Sequence, residues 1–145
     1  MPPRRRVKRK RDELLSRFFT VSSTDERLGV HGTQRKGLPP AIESHSYLEV
    51  RGSLDEPLGD TSALRILLIP TERTDVGPVR PVPVGSMDVS RSEMHGAVKV
   101  AQREFDRLWA MSLAGRLKHG HMAFTKPHYR SSFIVSISFS HEKEE

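Results

Sequence analysis

The chain has 145 residues, with 24 Lys or Arg against 18 Asp or Glu, a formal charge of +6 and no cysteine. That length suits one domain with a tail, and the lack of cysteine excludes a disulfide framework, a thiolate nucleophile and a zinc finger. Mean hydropathy is −0.53, no apolar run approaches the ~18 residues that span a bilayer, and the basic start is not followed by a signal peptide's apolar stretch.

The charge divides sharply along the chain. Arg4, Arg5, Arg6, Lys8, Arg9, Lys10 and Arg11 hold seven of the 24 basic residues within a segment that has no acid. The other 17 basic residues face all 18 acids, so residues 12–145 are nearly neutral and the isoelectric point of 10.1 belongs to the first eleven residues. Such a block has little to bury and reads as a basic tail. Its chemistry suits nucleic acid, gripped through counterion release; a nuclear-import signal and an acidic membrane surface are its other readings.

Residues 12–21 change character. Leu14, Leu15, Phe18 and Phe19 recur at i, i+1, i+4 and i+5, the spacing of one face of a short helix. A helix of about ten residues is marginal alone, so it must dock, either on the chain's own sheet, which is the plainer reading, or in a partner's groove, for which these four side chains are the candidate partner-binding residues. Residues 22–43 are rich in Ser, Gly and Pro and poor in large apolar side chains, the composition of a linker. Residues 45–54 and 64–69 read as strands; the second, LRILLI, is apolar on both faces and should be covered on both. Residues 71–88, with Pro78, Pro81 and Pro83, read as an extended connection.

Residues 92–118 fit one long amphipathic helix. Met94, Val98, Ala101, Phe105, Leu108, Trp109 and Ser112 fall on a common stripe at 100° per residue. Ser90 or Ser92 is the expected N-cap, Gly120 the expected stop, and Gly115 an internal cost of about 1 kcal/mol. Lys99, Arg103 and Arg107 then form a positive ridge at i, i+4 and i+8, with Asp106 able to pair with Arg103. Residues 121–125 and 132–140 complete a hairpin, with Phe133, Val135, Ile137 and Phe139 alternating against Ser136, Ser138 and Ser140.

The order ββαββ predicts an α+β two-layer sandwich: a four-stranded, mostly antiparallel sheet with one long helix across one face, behind a basic N-terminal tail. Residues 1–44 would hold tail, short helix and linker, 45–141 the domain, and 142–145 an acidic end. Phe105 and Trp109 would meet Phe133, Val135 and Ile137.

Chemistry-bearing side chains cluster once. His119, His121, Lys126, His128, Tyr129 and Arg130 lie within twelve residues. His121 and His128, with Lys126 or Arg130, could run acid–base cleavage of a phosphodiester, and three imidazoles could hold a transition metal; the plain reading is a polar hairpin tip. No nucleotide-binding, metalloprotease or nucleophile-elbow motif occurs, and no cofactor or metal is expected. The preferred reading is a non-enzymatic binding or adaptor protein of the cytoplasm, or of the nucleus in a eukaryote. Its domain docks a protein partner and its tail contacts nucleic acid. A small metal-independent ribonuclease and a structural subunit of a larger assembly are the alternatives.

Overall fold

The computed structural model describes residues 13–72 and 83–143. It is a closed barrel rather than a sandwich. Seven strands are present among the described residues: β1 (Leu14–Thr33), β2 (Ala41–Leu58), β3 (Thr61–Thr71), β4 (Gly85–Val89), β5 (Glu93–Ala101), β6 (His119–Thr125) and β7 (Ser131–Ser140). Around the barrel they run β1-β2-β3-β5-β4-β7-β6, and β6 pairs back onto β1. Every pairing is antiparallel except β3 with β5. The one helix among the described residues, α1 (Gln102–Leu113), runs between β5 and β6 and sends Phe105 into the core. The expected four-stranded sheet under a long helix is therefore overturned.

The long helix fails because two periods coincide in its first half. Met94 and Val98 are four apart, which serves a helix face and a strand face equally. Gly96 between them is buried too, and the buried set Met94, Gly96, Val98 has the period of a strand. A β-carbon on Gly96 would come within 3.2 Å of Met87 and Ile134. Ser90 does act as a cap, but of the turn from β4 to β5: its hydroxyl accepts from the amides of Ser92 and Glu93 at 3.3 and 3.1 Å. The helical stripe is real only from Phe105 onward. Phe105 is buried, Leu108, Trp109 and Met111 pack against the core, and the Phe105 and Trp109 rings lie 5.7 Å apart.

Nor is Gly120 the stop. The helix ends at Leu113 with Ala114 as its cap, and Gly115 beyond it takes φ +69°, donating to the Ser112 carbonyl at 3.0 Å while Arg116 donates to that of Met111 at 2.8 Å. That pair of bonds is the Schellman closure glycine permits. Gly120 instead sits inside β6, opposite Phe19.

Residues 14–19 form no helix. The two apolar doublets are split between the faces of β1: Phe19 is buried, Leu15 packs on the core, and Leu14 and Phe18 point outward. Of the expected linker, residues 22–43, the first twelve continue the same strand and the last three begin β2. An extra residue, Ser22, bulges β1 between Val21 and Ser23, and bulges bend a strand and steepen its twist. Beyond that bend β1 and β2 leave the barrel as a two-stranded ribbon, paired from Leu28↔Ser46 to Thr33↔Ala41.

The segments expected as strands at 45–54, 64–69, 121–125 and 132–140 lie within β2, β3, β6 and β7. In β7 a register shift opposite Ala123/Phe124 makes Val135 an extra residue. It turns Ile134 into the core and Phe133 out to solvent, so Phe133 does not meet Trp109 as expected. Phe19, Leu48, Val50, Leu64, Ile66 and Met94 are among the side chains that fill the interior.

Candidate functional site

The barrel has two unlike ends. The first carries α1. Ser112 is buried there; its hydroxyl donates to the Glu26 carboxylate and lies 2.7 Å from Thr24 Oγ1, which ties α1 to β1 at the root of the ribbon. Ser112 was the one polar member of the expected apolar stripe, and this bond explains it. Beyond α1 the barrel's inner face carries on along the ribbon with nothing of the described chain upon it. Leu28, Val30 and Ile42 are 70, 66 and 82% exposed. On the ribbon's other face His31 and His45 rings sit 5.4 Å apart beside Glu43. The expected cationic ridge is broken, since Lys99 lies in β5 while Arg103 and Arg107 lie on α1, and Asp106 accepts from Gln102 at 2.9 Å.

The opposite end carries the sequence's polar cluster. Leu14 pairs with Thr125, and the Lys126 amide donates to the Glu13 carbonyl at 2.8 Å. Lys126 Nζ also lies 3.8 Å from Glu13 Oε2. Residues 4–11, with the seven expected nucleic-acid-binding cations, lie outside the described residues. Glu13, two positions after them, is thus bonded to the start of the 126–131 hairpin tip.

That tip is held in an uncommon conformation. His128 and Ser131 exchange backbone hydrogen bonds of 2.8 and 3.0 Å, and Tyr129 and Arg130 between them have φ +50° and +67°. Two positive φ values make a turn of the type that favours Asn-Gly. A Tyr and an Arg there cost about 1–3 kcal/mol each. The Arg130 carbonyl accepts from Val89 at 2.8 Å, pinning the turn to β4. The Tyr129 ring is 91% exposed and stands 4.3 Å from His128.

Beside the tip lies a cleft of about 640 Å³, walled by Ser86, Asp88, Lys126, His128, Ser131 and Phe133. Ser131 Oγ donates to Asp88 Oδ1 at 3.3 Å. The Phe133 amide donates to Thr125 Oγ1 at 2.9 Å, which leaves the ring outward and 58% exposed. Sequence reading missed Asp88 and Phe133: the first sits in an expected connection, and the second needed the bulge at Val135 to be foreseen.

His121 is elsewhere. It lies in β6 at least four residues from the tip, about 13 Å of strand, with its ring 4.5 Å from Phe18. It shares a small crevice with His119, apart from the cleft that holds His128. The acid–base pair proposed from sequence is not assembled, and the three imidazoles do not converge. Among the described residues no three His, Asp or Glu gather as a metal site, and no helix is long and apolar enough to cross a membrane. Leu15 and Phe19, offered as partner-binding, serve the chain's own barrel.

No protein-family model, curated protein or solved structure matches this chain.

Proposed function

We propose that the protein is a non-enzymatic nucleic-acid-binding adaptor. It grips nucleic acid at the hairpin-tip end of the barrel and a protein partner at the ribbon end, and it acts in the cytoplasm or nucleus. The observation that carries this reading is the β1–β6 register. With Leu14 opposite Thr125 and Glu13 bonded to the Lys126 amide, the described chain begins at the hairpin tip that carries Lys126, His128, Tyr129 and Arg130, and the seven cations at residues 4–11 precede that point in the sequence. Cations beside an exposed aromatic ring are the two ingredients of a nucleic-acid surface: counterion release gives affinity and stacking gives hold. The ribbon supports the protein-binding half. A two-stranded hairpin is marginally stable in water, and this one exposes three aliphatic side chains on one face.

The test is deletion of residues 2–11, with binding to a labelled single-stranded oligonucleotide measured across a salt series. Log affinity against log salt should fall less steeply in the deletion, by about 0.7 for each phosphate that the tail no longer neutralises. Equal affinity and equal slope for the two proteins would overturn the assignment.

A further inference from the structure

We infer that the cleft beside the hairpin tip seats a guanine base of single-stranded nucleic acid. This rests on the nucleic-acid reading above and adds the strand type and the base. The cleft, at about 640 Å³, lies within the about 300–1,000 Å³ range of small-ligand pockets. Phe133 lends it an exposed ring, the platform on which an unstacked base packs. Lys126 and His128 line it as well, and Arg130 in the adjoining turn brings a further cation to where phosphates would pass.

Asp88 selects the base. It is the only acid among the described residues lining the cleft; Ser131 engages one lone pair of Oδ1 at 3.3 Å, and the carboxylate keeps an acceptor site on each of its two oxygens. Guanine alone of the common bases offers two parallel donors on its pairing edge, N1–H and the N2 amine. Adenine and cytosine set a ring acceptor beside their amine, and uracil flanks its one N–H with two carbonyls. Each of these would press a lone pair against the carboxylate. A charge-assisted bidentate bond is both strong and geometrically specific. The pairing edge is occupied in a duplex, so the strand must be single or the base turned out.

The experiment uses the full chain and short fluorescent oligouridylates with one central guanosine, inosine or adenosine, read by anisotropy. Guanosine should bind about 5- to 150-fold tighter than adenosine, and inosine, which keeps N1–H but lacks the amine, should lose most of that gain. Asp88→Asn should erase the guanosine preference and leave the salt slope unchanged. Phe133→Ala should weaken all three by about 5- to 150-fold. Both side chains are exposed; thermal midpoints check folding, and Asp88→Asn carries the test if the other variant unfolds. Deleting residues 2–11 should lower every affinity and preserve the guanosine-to-adenosine ratio. Salt-dependent binding with no preference among the three overturns the guanine cleft and leaves the adaptor reading standing. No binding by any strand overturns both. Free GMP binding as tightly as the oligonucleotide overturns the assignment to a strand.

Discussion

A methyl group on Gly120 would overlap the Phe19 ring at Cζ and sit 2.7 Å from the Ser138 carbonyl oxygen. The Phe19 ring is wholly buried and lies over the glycine in the opposite strand, so it has nowhere to retreat. Gly120→Ala should destabilise by about 1–3 kcal/mol or more through overpacking, read as a lower urea midpoint with the same slope. The hairpin tip predicts the opposite sign. Tyr129→Asn with Arg130→Gly would supply the residues that a turn with two positive φ values prefers. The double variant should gain about 1–2 kcal/mol of stability and raise the thermal midpoint. It should also bind oligonucleotide more weakly, since it removes an aromatic ring and a cation from the surface. A more stable protein with undiminished binding would place the interface elsewhere.

At the scale of elements, a side-chain hydrogen bond adds to the apolar packing that holds the helix on the barrel. Ser112→Ala would leave the Glu26 carboxylate, half-buried at the ribbon's root, without its donor. The expected cost is about 1–3 kcal/mol, measured by chemical unfolding, with hydrogen exchange rising first in α1. Ribbon substitutions should behave differently. Ile42→Ser removes a side chain that is 82% exposed, so stability should change by no more than about 0.5 kcal/mol, while binding of a hydrophobic dye should fall.

The same elements show what the sequence could and could not convey. The strand at 64–69 was legible as a short apolar run ended by Pro70, and that at 132–140 because aromatic and β-branched residues recur there among serines. Residues 93–101 were not, because Met94 and Val98 satisfy both periods and only the buried neighbours of Gly96 decide between them. Residues 14–33 were hidden for another reason. Their strand is set by pairing with residues 8 to 35 positions away on β2 and about a hundred away on β6, and local propensity carries little trace of such partners. The polar cluster at 119–130 was visible as composition. Its division into a crevice with His121 and a cleft with His128 depended on strand direction, and Asp88 joined it only through the β4–β7 register.

For the whole molecule, closure is the deciding event. β1 opens the described chain, yet it supplies the pairing partner of both β2 and β6. Without it β6 becomes an unpaired edge and Phe19 leaves the core. Residues 45–143 alone should therefore fail to fold, showing a non-cooperative thermal scan and dispersed hydrophobic dye binding. Deleting only residues 2–11 leaves every described strand pairing in place and takes seven like charges away, so its thermal midpoint should stay within a few degrees of the parent or rise slightly at low salt. The full chain should also refold slowly, in milliseconds to seconds, because joining residues 14–20 to 119–125 closes a loop of about a hundred residues. Stopped-flow refolding checks this. A Phe19→Leu variant should slow the folding limb if closure is part of the rate-limiting step, and should speed only unfolding if β1 docks after the barrier.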